Sequence, residues 1–521
     1  MKLVRTILTL NCLTMLSRFF GFARDILIAS VLGAGPVADA FWLAFRLPNL
    51  LRRLFAEGAF NSAFVPAFAK DLEMEGQEKA CENASHVLSA LTIILISLVI
   101  AVLIFTPVLM YIYAPGLFHT PERYGITLEF IRIMFPYILF ISVAGLFTGI
   151  LNCYGKFATG AAAPIALNVI MIIAISTYSY WSSTPGYPLA WSVFIAGLVQ
   201  VLIVWAHLKY MKIPIKFAWP KLSPPVRRVI KLMLPSAIAA GVIQINLVIG
   251  TMFLSFAPVG AISYWNYADR LVQLPLSLIG VAVSTALLPA ISMHVARNEA
   301  EIAQKTQNRA LEFSFFFAFP AAVALYVLSE PIITVLFRRM AFGELQVIET
   351  AKVLAAFSLS LPAYVMVKIY STAFFARYDT KTPLNGAILA VGANVILNFM
   401  VVGSYSYVGI AYATSLAAWL NAFFMMYMAL RKDIHILDER LKRNLPRIIG
   451  ASAFMGLTLY FSSGYFYEQI ESTEFIRAIT LMFLIILGSV AYISFASVVK
   501  VIDFQEIKGL LRPKLAYKQK K

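Results

Sequence analysis

The sequence predicts an all-α polytopic membrane protein with fourteen transmembrane helices: two pseudo-symmetric six-helix lobes plus two extra C-terminal helices. Three observations predict it. Of 521 residues, 60% are hydrophobic and 13% charged, with a mean hydropathy of +0.79; soluble domains carry roughly 25% charged residues. Apolar stretches long enough to cross a bilayer, roughly 20 residues each, recur along the whole chain. The basic residues concentrate in alternate loops. This composition excludes a soluble enzyme, a disordered chain and a small disulfide scaffold. Cys12, Cys81 and Cys153 lie far apart without C-x-x-C spacing, which argues against a disulfide framework or a metal cluster.

The predicted spans are 5–32, 37–66, 84–112, 124–150, 158–180, 187–207, 232–257, 262–293, 311–328, 348–375, 382–402, 406–430, 448–464 and 475–498. The ninth and thirteenth are short, and the first two are studded with charge. The basic residues test the count. Of 43 Lys and Arg, 30 fall on the termini and one set of alternate loops, counting Arg5 at the very start of the first span with the N-terminus. Three (Arg123, Arg338, Arg339) fall on the other set, and ten lie within spans. Cytoplasmic loops concentrate Lys and Arg, so both termini are expected in the cytoplasm. Arg18, Arg24 and Asp25 interrupt the first apolar segment, and no cleavable signal peptide is expected. The basic tail Lys508–Lys521 reads as a solvated segment facing lipid headgroups rather than a nucleic-acid arm.

The two lobes follow from an internal duplication. At a shift of 223, Phe41-Trp42 falls on Tyr264-Trp265, and Asn61–Ala67 falls on Ser284–Ala290. At 226, Pro136 falls on Pro362 and Asn168-Val169-Ile170 on Asn394-Val395-Ile396. At 221, Leu189-Ala190-Trp191 falls on Ile410-Ala411-Tyr412. The offset is six helices, so both copies share one orientation, an architecture of transporters. The expected domains are an N-terminal lobe 1–220, a C-terminal lobe 221–432, helices 13 and 14 in 433–498, and a basic tail 499–521.

Charge inside the apolar segments points to function. Helix 1 carries Arg18, Arg24 and Asp25. Helix 2 carries Asp39, Arg46, Asn49, Arg52, Arg53 and Glu57, and helix 8 adds Asp269 and Arg270. Each ionised group at the bilayer centre costs about 2.5–3.5 kcal/mol on insertion scales, so these groups are expected to face one another or a water-filled cavity. At 1.5 Å rise per residue, Arg24 and Arg270 lie roughly 12 Å below the outer helix ends, and Arg18 and Arg52 roughly 21–22 Å. The three helices hold six Arg against four acids. A surplus of positive charge suits an anionic substrate, and Arg grips phosphate in bidentate fashion. Bland readings stand beside these. Arg53 and Glu57 have the spacing of a helix-surface pair, and Arg46 is either a cavity residue or a packing residue whose charge Asp39 satisfies. Asp25 and Asp269 orient neighbouring arginines or meet substrate. Pro48, Pro136, Pro235, Pro275, Pro320 and Pro362 are expected mainly as static kinks.

The sequence contains no G-x-x-x-x-G-K-[ST] loop, no H-E-x-x-H and no D-D-x-x-D, and the five histidines are scattered. No cofactor is therefore expected, and transport would draw on an ion gradient or the membrane potential, worth roughly 2.3 kcal/mol per charge per 100 mV.

The block Ser17–Asp25, with Asp39-Ala40-Phe41 and Phe45–Phe60, resembles the MurJ (MviN) family of bacterial lipid II flippases. Tyr267-Ala268-Asp269-Arg270 and Asp379-Thr380-Lys381-Thr382-Pro383 extend the resemblance into the second half. It implies the multidrug/oligosaccharidyl-lipid/polysaccharide exporter fold in the bacterial inner membrane. It also implies transfer of an undecaprenyl-diphosphate-linked disaccharide-pentapeptide between leaflets for peptidoglycan synthesis. The resemblance maps cavity arginines onto Arg18, Arg24, Arg52 and Arg270, with acidic partners at Asp25, Asp39 and Glu57, and makes helices 13 and 14 a groove for the lipid tail. Implied partners are lipid II, membrane lipids and cell-wall synthesis proteins. Some members use a sodium site on helices 7 and 11. Helix 7 here offers Gln244 and Asn246 but no acid, so that site is not carried over, although Asp379 stands at the start of helix 11. Flipping of another undecaprenyl-diphosphate glycan, or a non-transporting scaffold that binds lipid II, remain open alternatives.

Overall fold

The computed structural model describes the backbone of residues 2–52, 59–180, 182–219, 223–401 and 406–501. The side chains of 2–8, 59, 234–240, 242–243, 245–246, 281–286 and 406 fall outside the description. Arg53, Glu57, the Asn246 side chain and the basic tail Lys508–Lys521 thus lie outside the described residues. Among the described residues the chain is helical, without strands. It divides into two compact units.

The first unit takes residues 1–267 with 337–347 and 401–410. Its helices are α1 (Lys2–Leu32), α2 (Pro36–Arg52), α3 (Ala59–Met74), α4 (Gly76–Ile104), α5 (Thr106–Tyr113), α6 (Pro121–Met134), α7 (Tyr137–Cys153), α8 (Ala158–Ser176), α9 (Gly186–Tyr210) and α10 (Pro224–Ser255). α1 packs on α8, α8 on α9, α9 on α7, and α2 on α6. The core is large and aromatic: Phe41, Phe60, Phe64, Phe130, Phe135, Tyr113 and Tyr137 are all fully buried. On α4, Leu91 and Leu95 face inward while Ile93, Ile94, Ile96, Ile100 and Ile104 are exposed. A soluble helix would not leave such a row in water; it suits a hydrocarbon surround.

The second unit takes 268–336, 348–400 and 411–521. Its helices are α11 (Ala261–Ala296, from Ala268 onward), α12 (Ala300–Val327), α13 (Ser329–Phe337), α14 (Glu344–Ser358), α15 (Leu361–Phe375), α16 (Lys381–Val401), α17 (Ser406–Arg431), α18 (Glu439–Tyr465), α19 (Tyr467–Glu471) and α20 (Glu474–Val498). α12 packs on α15 and α18, and α18 on α20.

Among the described residues, nine helical stretches are long and apolar enough to cross a membrane. Two of them, Pro121–Cys153 and Glu344–Phe375, are broken internally. The breaks fall beside Pro136 and Pro362, the prolines that the duplication aligns, because proline supplies no N–H to the preceding turn. Several expected boundaries move. The stretch 84–112 starts at Gly76 and breaks at Phe105, next to Pro107. The stretch expected at 37–66 is helical to Arg52 and again from Ala59. The two short spans are longer than expected: 311–328 belongs to a helix from Ala300, and 448–464 to one from Glu439. In the second case the stop is a cap, since the Asp438 carboxylate accepts the Leu441 N–H at 2.8 Å. Polarity marks where hydrocarbon ends, whereas caps mark where helices end.

Candidate functional site

α1 is apolar on most of its surface, yet it buries a charge. Arg24 and Asp25 are 7% and 4% exposed. Neighbouring helical residues do not normally face each other, so the guanidinium turns sideways to reach the carboxylate. Its Nε and Nη2 both donate to Asp25 Oδ1, at 2.9 and 2.6 Å. Nη1 donates to Asn168 Oδ1 on α8 at 2.9 Å and approaches the Met171 sulfur at 3.8 Å. The Phe45 ring of α2 lies 5.7 Å from the guanidinium carbon, within cation–π range. Arg24 is therefore held on several sides in this conformation, where an open cavity arginine was expected. Arg18, two turns before Asp25, contrasts with it. It is half-buried and meets no hydrogen-bond or ion-pair partner among the described residues.

α2 supplies the second group. Asp39 is 1% exposed. Its Oδ2 accepts the Gly260 N–H at 2.7 Å, and its Oδ1 accepts the Ser263 N–H at 2.9 Å and hydroxyl at 2.7 Å. Arg123 of α6 lies 3.1 Å away. Asp39 thus caps the first turn of α11, at the positive end of its dipole. Arg46 does not pair with Asp39: its Nη1 donates to Thr251 at 2.9 Å and its Nη2 to Asn266 at 3.1 Å. Asn49 donates back to the Phe45 carbonyl one turn earlier, at 2.9 Å. Arg52 is half-buried in the last turn of α2.

Asp269 and Arg270 belong to the second unit, both half-buried on α11, where Gln273 donates to Asp269 at 2.5 Å. Near the start of α16, the Asp379 carboxylate accepts from Thr382 N–H and Oγ and from Lys432. Burial alone would raise its pKa, but the Lys432 bond and charge and the Thr382 bonds outweigh that and hold it down at about 2. Among the described residues no group of three or more His, Cys, Asp or Glu is placed to hold a metal ion.

Sequence reasoning missed Asn168, Phe45, Arg123, Thr251 and Asn266 as partners of these charges. Asn168 left a trace in the duplication, where it falls on Asn394, but nothing that tied it to Arg24. The arrangement in the first unit places fixed positive charge, Arg18 and Arg24, within an apolar helix and surrounds Arg24 with weak acceptors and a single carboxylate. Such a group can exchange a partner for a stronger anion.

The profile of a family described as "Lipid II flippase MurJ" matches residues 28–497. A relative from Rhizobium meliloti (strain 1021), described as "Probable lipid II flippase MurJ", is 40% identical over 503 residues, covering 95% of this chain and 94% of the relative. A solved structure described as "Lipid II flippase MurJ, inward closed conformation" is 27% identical with a TM-score of 0.78, covering 96% of this chain and 99% of that one. An inward-facing multidrug resistance MATE family transporter of the MOP superfamily shares the fold at a TM-score of 0.68 and 16% identity, over 84% of this chain and 99% of that one.

Proposed function

The chain belongs to the lipid II flippase MurJ family, and on that premise we propose that it carries lipid II from the inner to the outer leaflet of the bacterial inner membrane. It is a multi-pass transporter, not an enzyme, and it supplies precursor for peptidoglycan synthesis. The observation that carries this reading is Arg24, a guanidinium buried in an apolar helix at a cost that a merely structural role would not require.

In this reading the remaining long helices also cross the bilayer, giving fourteen spans with both termini in the cytoplasm. Residues 1–220 and 221–432 act as the two repeats of an alternating-access transporter, and 433–498 accommodates the lipid tail. Arg24 and Arg270 hold the diphosphate, and Arg18 and Arg52 contribute toward the cytoplasmic side. Asp25, Asp269 and Asn49 tune these arginines, and Asp39 fixes the first turn of α11. Glu57 is assigned by family resemblance alone. Transport runs on an ion gradient or the membrane potential without a bound cofactor, and cell-wall synthesis proteins are the natural partners.

The test is transfer itself. Purified full-length protein in liposomes loaded with lipid II should expose headgroups to the outer face over time, and Arg24→Ala or Arg270→Ala should insert normally yet abolish exposure. Normal growth of flippase-depleted cells on both variants would overturn the arginine assignment. Tight lipid II binding without transfer by the unaltered protein would make it a scaffold instead.

A further inference from the structure

A guanidinium offers two bidentate edges to an oxyanion, Nε with one Nη, or the two Nη together. In this structure Asp25 occupies the first edge through a single oxygen. The Nη1 corner of the second is held by the Asn168 oxygen at 2.9 Å, with the Met171 sulfur at 3.8 Å. The amide of Asn168 is engaged at both ends, because its Nδ2 donates to the Ser17 carbonyl at 3.0 Å. The two partners fix which end is oxygen: Arg only donates and a carbonyl only accepts. Ser17 and Arg24 are seven residues apart, roughly 10.5 Å along the helix axis. One carboxamide reaches both only because the Arg24 side chain lies back along α1 toward its N-terminus, as helical side chains do.

We propose that Asn168 is a positioning residue for substrate: it holds the Nη1 corner of Arg24 with a neutral oxygen, pinned to Ser17, until a diphosphate oxygen takes its place. The inference rests on the diphosphate reading of Arg24. A neutral acceptor orients the guanidinium yet yields to a charged one, whose hydrogen bonds are about twice as strong. An aspartate at this position would not yield. It would add a second fixed negative charge against Arg24 and set an oxygen against the Ser17 carbonyl.

The experiment measures lipid II affinity of the full-length protein in nanodiscs for Asn168→Ala, Asn168→Asp, Arg24→Ala and the two double variants. Asn168→Ala should bind roughly threefold more weakly, and Asn168→Asp at least roughly tenfold more weakly. Both losses should vanish in the Arg24→Ala background, because the amide acts through that guanidinium. Asn168→Asp binding as tightly as Asn168→Ala, or losses that persist unchanged without Arg24, would reduce Asn168 to a packing residue and overturn the proposal. Arg24→Ala binding like the unaltered protein would instead overturn the diphosphate reading beneath it. Should the buried aspartate prevent folding, the cycle of Asn168→Ala with Arg24→Ala still decides.

Discussion

The Asp39 carboxylate and the Arg123 guanidinium meet at 3.1 Å with both side chains nearly sealed from solvent. The pair ties α2 to α6, and the same carboxylate fixes the first turn of α11 through Gly260 and Ser263. Arg123 also donates to the Ala257 carbonyl at 3.2 Å. Removing one partner strands a buried charge, which costs about 3–5 kcal/mol. Asp39→Ala should therefore lower the thermal unfolding midpoint in detergent sharply. The double variant Asp39→Ala, Arg123→Ala should lose less than the two single losses together, since it strands no charge. Additive losses would show that the pair is not coupled.

The turn between α1 and α2 gives a backbone prediction. Gly33 has φ +61, a region that side chains disfavour. A Cβ there would lie 2.5 Å from the Ala341 carbonyl oxygen. The surroundings are fixed by the Ala341 N–H on the Ser30 carbonyl at 2.9 Å and the Tyr267 hydroxyl on the Gly33 carbonyl at 2.9 Å. Gly33→Ala should then destabilise by more than the 1 kcal/mol or so that a compatible Gly→Ala change would gain. Gly35→Ala, whose added carbon meets nothing within 4 Å, is the matched control. Equal midpoints for the two would refute the argument.

How much of this was legible in the sequence depends on distance along the chain. The charged block of helix 1 was readable because Arg18, Arg24 and Asp25 interrupt an apolar run within eight residues. Asn168 was not readable as their partner, because a hydrogen bond spanning 144 positions leaves no local pattern. Arg123 served in the sequence only as a marker of loop polarity. Its burial against Asp39 is a tertiary fact: because α6 packs on α2, Arg123 rather than Arg46 meets that carboxylate. The starts of α12 and α18 were misjudged because hydropathy tracks the solvent while a helix continues until its N–H groups find a cap, as Asp438 provides.

In the connection between α17 and α18, His435 is buried with its Nδ1 3.0 Å from the Tyr370 hydroxyl and its Nε2 2.9 Å from Asn308. Burial pushes its pKa down to about 4, against a smaller upward pull from Asp438. The folded protein thus keeps His435 neutral where the unfolded chain, with a value near 6.5, takes up a proton. That stability is complete above about pH 6.5 and is lost as pH falls toward 4. Unfolding midpoints in detergent should decline across that window, and His435→Gln should flatten the decline. An unchanged slope in His435→Gln would assign the acid sensitivity elsewhere.

Arg18 and Arg24 share a helix, but only the loss of Arg24 should cost the fold much stability. Arg24 has Asp25, Asn168 and Phe45 around it, so Arg24→Ala takes two hydrogen bonds from the buried Asp25 carboxylate, and a loss of stability should accompany the loss of transfer. Arg18 has no hydrogen-bond or ion-pair partner among the described residues, so the fold gives up little when it goes. Arg18→Ala should shift stability by no more than about 0.5 kcal/mol. If its charge serves the diphosphate, however, the same variant should transfer lipid II at least roughly tenfold more slowly, and Arg18→Lys should recover part of that rate, because the charge is kept while the bidentate fork is lost. Measuring unfolding midpoint and liposome transfer on the same preparations separates the two effects. Normal transfer by Arg18→Ala would remove it from the site, and a large fall in midpoint would show that the fold relies on a contact made by that charge.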